Sequence, residues 1–180
     1  MRQCTSGKSY TLFESGAILL YLAEKTGQFL PKNPVARFDA IQWMMVQMTL
    51  IGPMFGQYVH FMRFAPKGND YALDRYRTQV RRVLATLEQR LGVVPFLGGQ
   101  SYSIADIATF PWARGVGTFL GKPAEAEYPK VMAWVATING RPAVTRALAA
   151  VDEVRAKTTA FDKAGEGAKD RLFGRGRHAA

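Results

Sequence analysis

Apolar residues recur three and four positions apart along most of this chain, and the recurrence breaks at Gly27, Gly92 and Gly140 and ahead of Pro34, Pro129 and Pro142. Such spacing places side chains on one face of a helix, while proline favours helix starts and glycine helix ends. The pattern predicts helices over residues 17–25, 34–64, 70–91, 129–139 and 142–154, and another after Ser103. In the second, Phe38, Ile41, Met45, Met48 and Ile51 read as a buried stripe, with a bend at Gly52-Pro53 because proline removes one ladder bond. Asn33 is its expected N-cap. In the third, Tyr76, Val80, Val83, Leu84, Leu87 and Leu91 share a face, with Gly92 as the stop. The β-prone run at residues 10–13 supports one strand at most, and residues 27–32 read as a linker.

After Lys157 the apolar period is lost and the chain mixes Gly, Ala and charge, which predicts a mobile basic tail over residues 155–180. The body is expected to be helical and the tail separate.

Composition narrows the class. A hydrophobic share of 48% and an aromatic share of 12% can build a packed core and exclude a wholly disordered chain. The longest uncharged apolar block near the start, residues 16–23, falls far short of the roughly 20 residues needed to cross a membrane. Arg2 and Lys8 precede it as in a signal peptide, but Glu14, Glu24 and Lys25 flank it closely, so a cytoplasmic location is expected. The single cysteine, Cys4, excludes an internal disulfide framework and a cysteine-built metal site. Lys and Arg number 24 against 14 Asp and Glu, a formal +10 that favours anionic partners without choosing among them.

Four groups of residues bear chemistry. Glu14-Ser15 opens the first helix, where free backbone amides and the helix dipole favour a carboxylate; Ser15 adds a hydroxyl and Glu14 an anion for a neighbouring ammonium. The pair suits an amino-acid zwitterion. It also suits a plain helix start, with Ser15 as N-cap and Glu14 on the dipole. Ser103 and Asp106 stand in the spacing of a capping box, with Tyr102 and Ile107 as its hydrophobic staple. No histidine is near in sequence, so the pair reads as a folding element and not as a catalytic Ser/Asp couple. Arg75 and Arg82 share one helical face and Arg77 and Arg81 another; that division reads as a solvated surface, and a nucleic-acid partner is not expected. His60 lies among Tyr58, Phe61 and Phe64 and reads as packed, with lining an aromatic pocket as the alternative. His178 sits in the tail, Cys4 has no visible catalytic partner, and Met44, Met45, Met48 and Met54 read as core filling.

The stretch "LFESGAILLYLAEKTG" resembles the end of the thioredoxin-like domain of glutathione transferases, in wording closest to the bacterial Nu class of disulfide-bond-reductase-like proteins. "GPMFGQYVHFMRFAP", "YALDRYRTQVRRVLATLEQRL", "FLGGQSYSIADIATFPW" and "YPKVMAWVATINGRPAV" resemble the successive helical segments of that family, so the similarity covers residues 10–151. "TTAFDKAGEGAKDRLFG" also resembles an extension found in some Nu-class members.

The resemblance implies a mainly α fold: a glutathione transferase C-terminal-type bundle over residues 34–154, preceded over residues 1–30 by one strand and one helix of a thioredoxin-like α/β domain. It implies glutathione as cosubstrate without a metal, conjugation or glutathione-dependent disulfide reduction as the family reaction, and a homodimer. By the same resemblance Glu14 and Ser15 grip the γ-glutamyl end of glutathione. Arg75 reaches glutathione across the dimer interface, Tyr58, His60 and Phe61 lie near the pocket for the second substrate, and Ser103 and Asp106 form the structural capping box. The family's cis-proline strand and thiol-contacting first turn have no counterpart in residues 1–9. The expectation is therefore a truncated protein with weak or no activity, on which the glutathione thiol stays near its unperturbed pKa of about 8.5. A non-catalytic binding module built on the helical domain and basic tail is the alternative, and a late start or frameshift would account for residues 1–9 differently.

Overall fold

The computed structural model describes residues 2–5, 8–160 and 163–174, in two compact units, Met1–Thr137 and Ile138–Ala180. The first opens with strands β1 (Arg2–Thr5) and β2 (Lys8–Thr11), paired antiparallel with Gln3 opposite Tyr10 and Cys4 opposite Ser9. The expected strand is present, shifted toward the N-terminus, and it gains a partner strand that the sequence pattern did not announce.

Helix α1 (Ser15–Thr26) stops at Gly27, whose φ of 67° is the left-handed conformation that glycine adopts without strain. The linker beyond it is tied down. Leu30 is buried, and the Phe29 carbonyl accepts from the Ile104 amide at 2.9 Å. The next helix, α2 (Pro34–Val46), starts as expected, with the Asn33 side chain accepting from the Ala36 amide at 3.1 Å and Pro34 in the first turn.

The bend at Gly52-Pro53 takes a specific form. Residues Gln47–Ile51 wind as a π-helical turn before α3 (Gly52–Arg63) resumes. Pro53 lacks the amide that would close an α-helical bond, and a wider turn just before it accommodates the missing donor. The buried stripe also differs from the expected one. Ala40, Met44, Gln47, Ile51, Phe55 and Tyr58 face the core, while Phe38 is 67% and Met45 44% exposed. Apolar residues lie on both flanks of α2, so spacing alone could not separate two adjacent stripes, and small Ala40 and polar Gln47 disguised the inner one.

Helix α4 (Asp70–Leu91) buries Val80, Val83, Leu84 and Leu87 and packs along α3. Gly92 ends it with an ordinary φ of −73°, its amide bonding to the Glu88 and Gln89 carbonyls. Helix α5 (Ile104–Ala113) lies across α2 and the π turn, and two short helices that the pattern did not predict follow, α6 (Val116–Phe119) and α7 (Pro123–Glu127). Helix α8 (Pro129–Asn139) receives its first-turn cap from another element: the Glu88 carboxylate accepts from the Lys130 and Val131 amides, both at 2.9 Å. A carboxylate there also meets the positive end of the helix dipole. Glu88→Ala is expected to cost about 1–2 kcal/mol in urea unfolding, with Glu88→Gln recovering part of it.

The second unit contains α9 (Pro142–Lys157) and α10 (Glu166–Phe173). The tail over residues 155–180 therefore carries two helical turns that its loss of periodicity concealed. Small apolar residues of low contrast, such as Ala168, alternate there with charge. No described helix is long and apolar enough to cross a membrane.

Candidate functional site

The start of α1 is built differently from the expectation. Ser15 is not the N-cap; it is the first helical residue, and Glu14 holds the cap position at φ 67° and ψ 122° without a side-chain capping bond. This backbone turn carries the chain straight into helical geometry at Ser15, so the Ser15 hydroxyl has no cap to make. The Glu14 carbonyl accepts from Ile18 at 2.9 Å, and both Glu14 and Ser15 are exposed. First-turn amides of a helix have no intrahelical acceptor, so this end offers N-H donors, a hydroxyl and a carboxylate together.

Next in sequence, Gly16 is buried against the π turn. A Cβ there would lie 3.1 Å from both Sδ and Cε of Met48, so glycine is what allows α1 this close. Beside this contact, Ser15, Leu19, Gln47, Met48, Pro111 and Trp112 help to line a cleft of about 460 Å³. Gln47 is only 6% exposed, and its Oε1 has no hydrogen-bond donor among the described residues.

The other sequence-selected residues are not gathered there. Tyr58 is 3% exposed and donates its hydroxyl to the Phe119 carbonyl at 3.0 Å, which makes it part of the core. His60 packs edge-on to Phe61 at 5.2 Å, and Phe61 stacks on Tyr76 at 5.4 Å. Arg75 opens on a shallow groove with Tyr71, Asp74, Thr78, Gln79 and Arg82. The division of arginines read from the sequence reappears as chemistry. Arg77 pairs with Asp74 and Arg81 with Glu127, whereas Arg75 and Arg82 meet no carboxylate among the described residues. Burial pushes the Tyr128 phenol above its usual range, against the opposing pull of Arg81.

Ser103 and Asp106 do form the capping box. Asp106 is fully buried and accepts four hydrogen bonds: from the Leu97 amide at 2.8 Å, and from the Ser103 amide, the Ser103 hydroxyl and Trp134 Nε1, each at 2.9 Å. With every oxygen engaged, the pair is structural. Cys4 falls in β1, and His178 lies outside the described residues. No group of three or more His, Cys, Asp or Glu among the described residues is placed to hold a metal ion.

Sequence reasoning missed Gln47 and Glu88. Gln47 could have been noticed as a lone amide inside an apolar run just ahead of Gly-Pro. Glu88 gave no signal, because its partners lie more than 40 positions away.

Residues 44–142 match the family described as glutathione S-transferase, C-terminal domain. The disulfide-bond oxidoreductase YfcG of Escherichia coli is 46% identical over 143 residues, covering 79% of this chain and 65% of that protein. A glutathione S-transferase domain-containing protein of Dictyostelium discoideum is 40% identical over 144 residues, covering 78% of this chain and 55% of its own length. The chain thus spans less than two thirds of either relative. Among solved structures, a Burkholderia graminis glutathione transferase with two glutathione molecules bound per subunit superposes with a TM-score of 0.72 at 48% identity, covering 79% of this chain and 62% of that one. The Streptococcus pneumoniae glutathione transferase YghU, complexed with glutathione, gives 0.76 at 34% identity, covering 82% and 59%.

Proposed function

This chain belongs to the glutathione S-transferase family, and we propose that it binds glutathione by its γ-glutamyl end at Glu14 and Ser15, as a cytoplasmic homodimer of the Nu-class, disulfide-reductase-like type. The observation that carries the reading is the start of α1: an exposed carboxylate and an exposed hydroxyl at a helix N-terminus with no side-chain cap. The γ-glutamyl group ends in a carboxylate and an ammonium. The carboxylate suits the first-turn amides and the Ser15 hydroxyl, and the ammonium suits Glu14. Arg75, free of any carboxylate among the described residues, supplies a cation for a glutathione carboxylate held by the other copy.

The family reaction would be conjugation or glutathione-dependent disulfide reduction. Either needs the sulfur as thiolate, which requires positive potential or hydrogen-bond donors fixed beside it. The described lining of the cleft at Ser15 holds no charged side chain, so we expect these 180 residues to bind glutathione better than they activate it.

Titration calorimetry with reduced glutathione tests the binding. Ser15→Ala is expected to weaken it about tenfold, by loss of one hydrogen bond to a charged group, and Glu14→Gln by a similar factor. S-methylglutathione should bind as well as glutathione, because the thiol is not what is held. Unchanged affinity in both variants would defeat the assignment.

A further inference from the structure

Among the described residues, two that are not glycine hold a positive φ, and they stand on either side of α1: Glu14 before it and Phe29, at 62°, after it. A bulky side chain in that region is a genuine outlier. Stopping the helix does not require it, because Gly27 already does so with a φ of 67°. Such a conformation persists only where the surroundings impose it.

The surroundings of Phe29 are specific. Its carbonyl accepts from the Ile104 amide at 2.9 Å, and that amide belongs to the first turn of α5, where no intrahelical acceptor exists. Its ring meets the Tyr102 ring edge-on at 5.7 Å, and Tyr102 meets Phe96 in the same way at 5.9 Å. Leu30, the next residue, is buried. The linker is thus fastened to the N-terminal end of α5 through backbone and ring together.

Helix α1 is otherwise lightly held. Of its 12 residues only Gly16 and Ala23 are buried, the first against Met48. First-turn amides point along the helix axis, so the direction in which the site at Glu14 and Ser15 faces is the direction of that axis. Two points fix it: Gly16 at one end and the linker at the other.

We propose that Phe29 is a positioning residue: its strained turn and its ring hold the far end of α1 on α5 and so aim the first-turn amides that face the ligand. For the ligand this rests on the glutathione site at Glu14 and Ser15; the hold itself is separable from it. Where the linker lets go, α1 is free to tilt and its amides have no set direction.

Amide hydrogen exchange over residues 19–26 of the 180-residue chain measures the hold, with residues 80–87 of α4 as the internal reference. Phe29→Ala keeps the strain and loses the ring, and is expected to speed exchange in α1 about 5- to 10-fold. Phe29→Tyr keeps both contacts and should match the wild type. Phe29→Gly loses the strain along with the ring, so it should exchange more slowly than Phe29→Ala, the reverse of the usual order for these two residues. Exchange in α4 should not respond to any of them. Tyr102→Leu removes the ring partner from the α5 side and should also speed α1, which covers the case of a Phe29 variant that fails to fold. Reduced glutathione at about ten times its Kd should slow exchange in α1 about tenfold in both the wild type and Phe29→Ala, because the ligand selects the held state. Unchanged exchange in Phe29→Ala and Tyr102→Leu, an equal rise in α4, Phe29→Gly looser than Phe29→Ala, or glutathione that binds without slowing α1 would overturn the assignment. Absence of glutathione binding in the wild type would instead defeat the reading at Glu14 and leave the order of the variants to decide Phe29.

Discussion

Replacing Asp106 by alanine is expected to remove about 4 kcal/mol or more from the folding free energy, close to the whole stability of an ordinary domain. The carboxylate is fully buried and is the common acceptor for two backbone amides, a hydroxyl and an indole N-H, drawn from the loop before α5, the start of α5 and α8. Alanine would strand those donors in a site too small for solvent to reach freely. Each orphaned buried donor costs about 1–3 kcal/mol, and the losses are partly shared because they concern one group. Asp106→Asn should be intermediate. It retains an oxygen for Leu97 and Trp134 but sets an NH₂ against the Ser103 donors. Urea unfolding measures the loss, and Trp134 fluorescence should shift early as its Nε1 loses its partner. A change below about 1 kcal/mol for alanine would show that the box is ornamental.

Gly98→Ala is expected to cost about 2–4 kcal/mol, for a reason that lies in the same box. A Cβ on residue 98 would lie 2.3 Å from the Ser103 hydroxyl oxygen and 3.0 Å from Cβ of both Ser103 and Ala40. The new methyl must therefore displace the hydroxyl from Asp106, push the backbone of α2 away, or both. Overpacking and loss of a cap then add. A double-mutant cycle separates the contributions: with Ser103→Ala already present, part of the clash is gone, so the second substitution should cost measurably less than it does alone. Strict additivity would mean that the contacts with Cβ of Ala40 and of Ser103 carry the whole effect.

These two sites show what the sequence could and could not convey. The capping box was legible because Ser103 and Asp106 are three positions apart and precede an apolar run, a local pattern. That Trp134 and Leu97 close the same network was not, since those bonds depend on how α8 and a loop pack. The limits of α4 and α8 were legible for similar reasons, as was the Asn33 cap. By contrast, the inner face of α2 was not legible, because apolar residues lie on both of its flanks and small Ala40 and polar Gln47 disguised the buried one. The expectation for Ser15 failed on a single backbone angle at Glu14, which no side-chain pattern reports. The arginines of α4 were divided correctly by helical geometry, yet only the structure shows that Arg77 and Arg81 have acidic partners. The helical fold itself was well within reach of the pattern, and the family match over residues 44–142 and the solved neighbours agree with it.

Glu14 holds a backbone conformation that a non-glycine residue occupies at a cost of about 1–3 kcal/mol. Glycine would adopt it freely. The fold alone would thus prefer a residue with no side chain at the mouth of α1, while the proposed recognition of glutathione's ammonium group needs a carboxylate there. Stability and recognition pull this one position in opposite directions. The two can be separated experimentally: a Glu14→Gly chain would fold more firmly and bind its ligand less well.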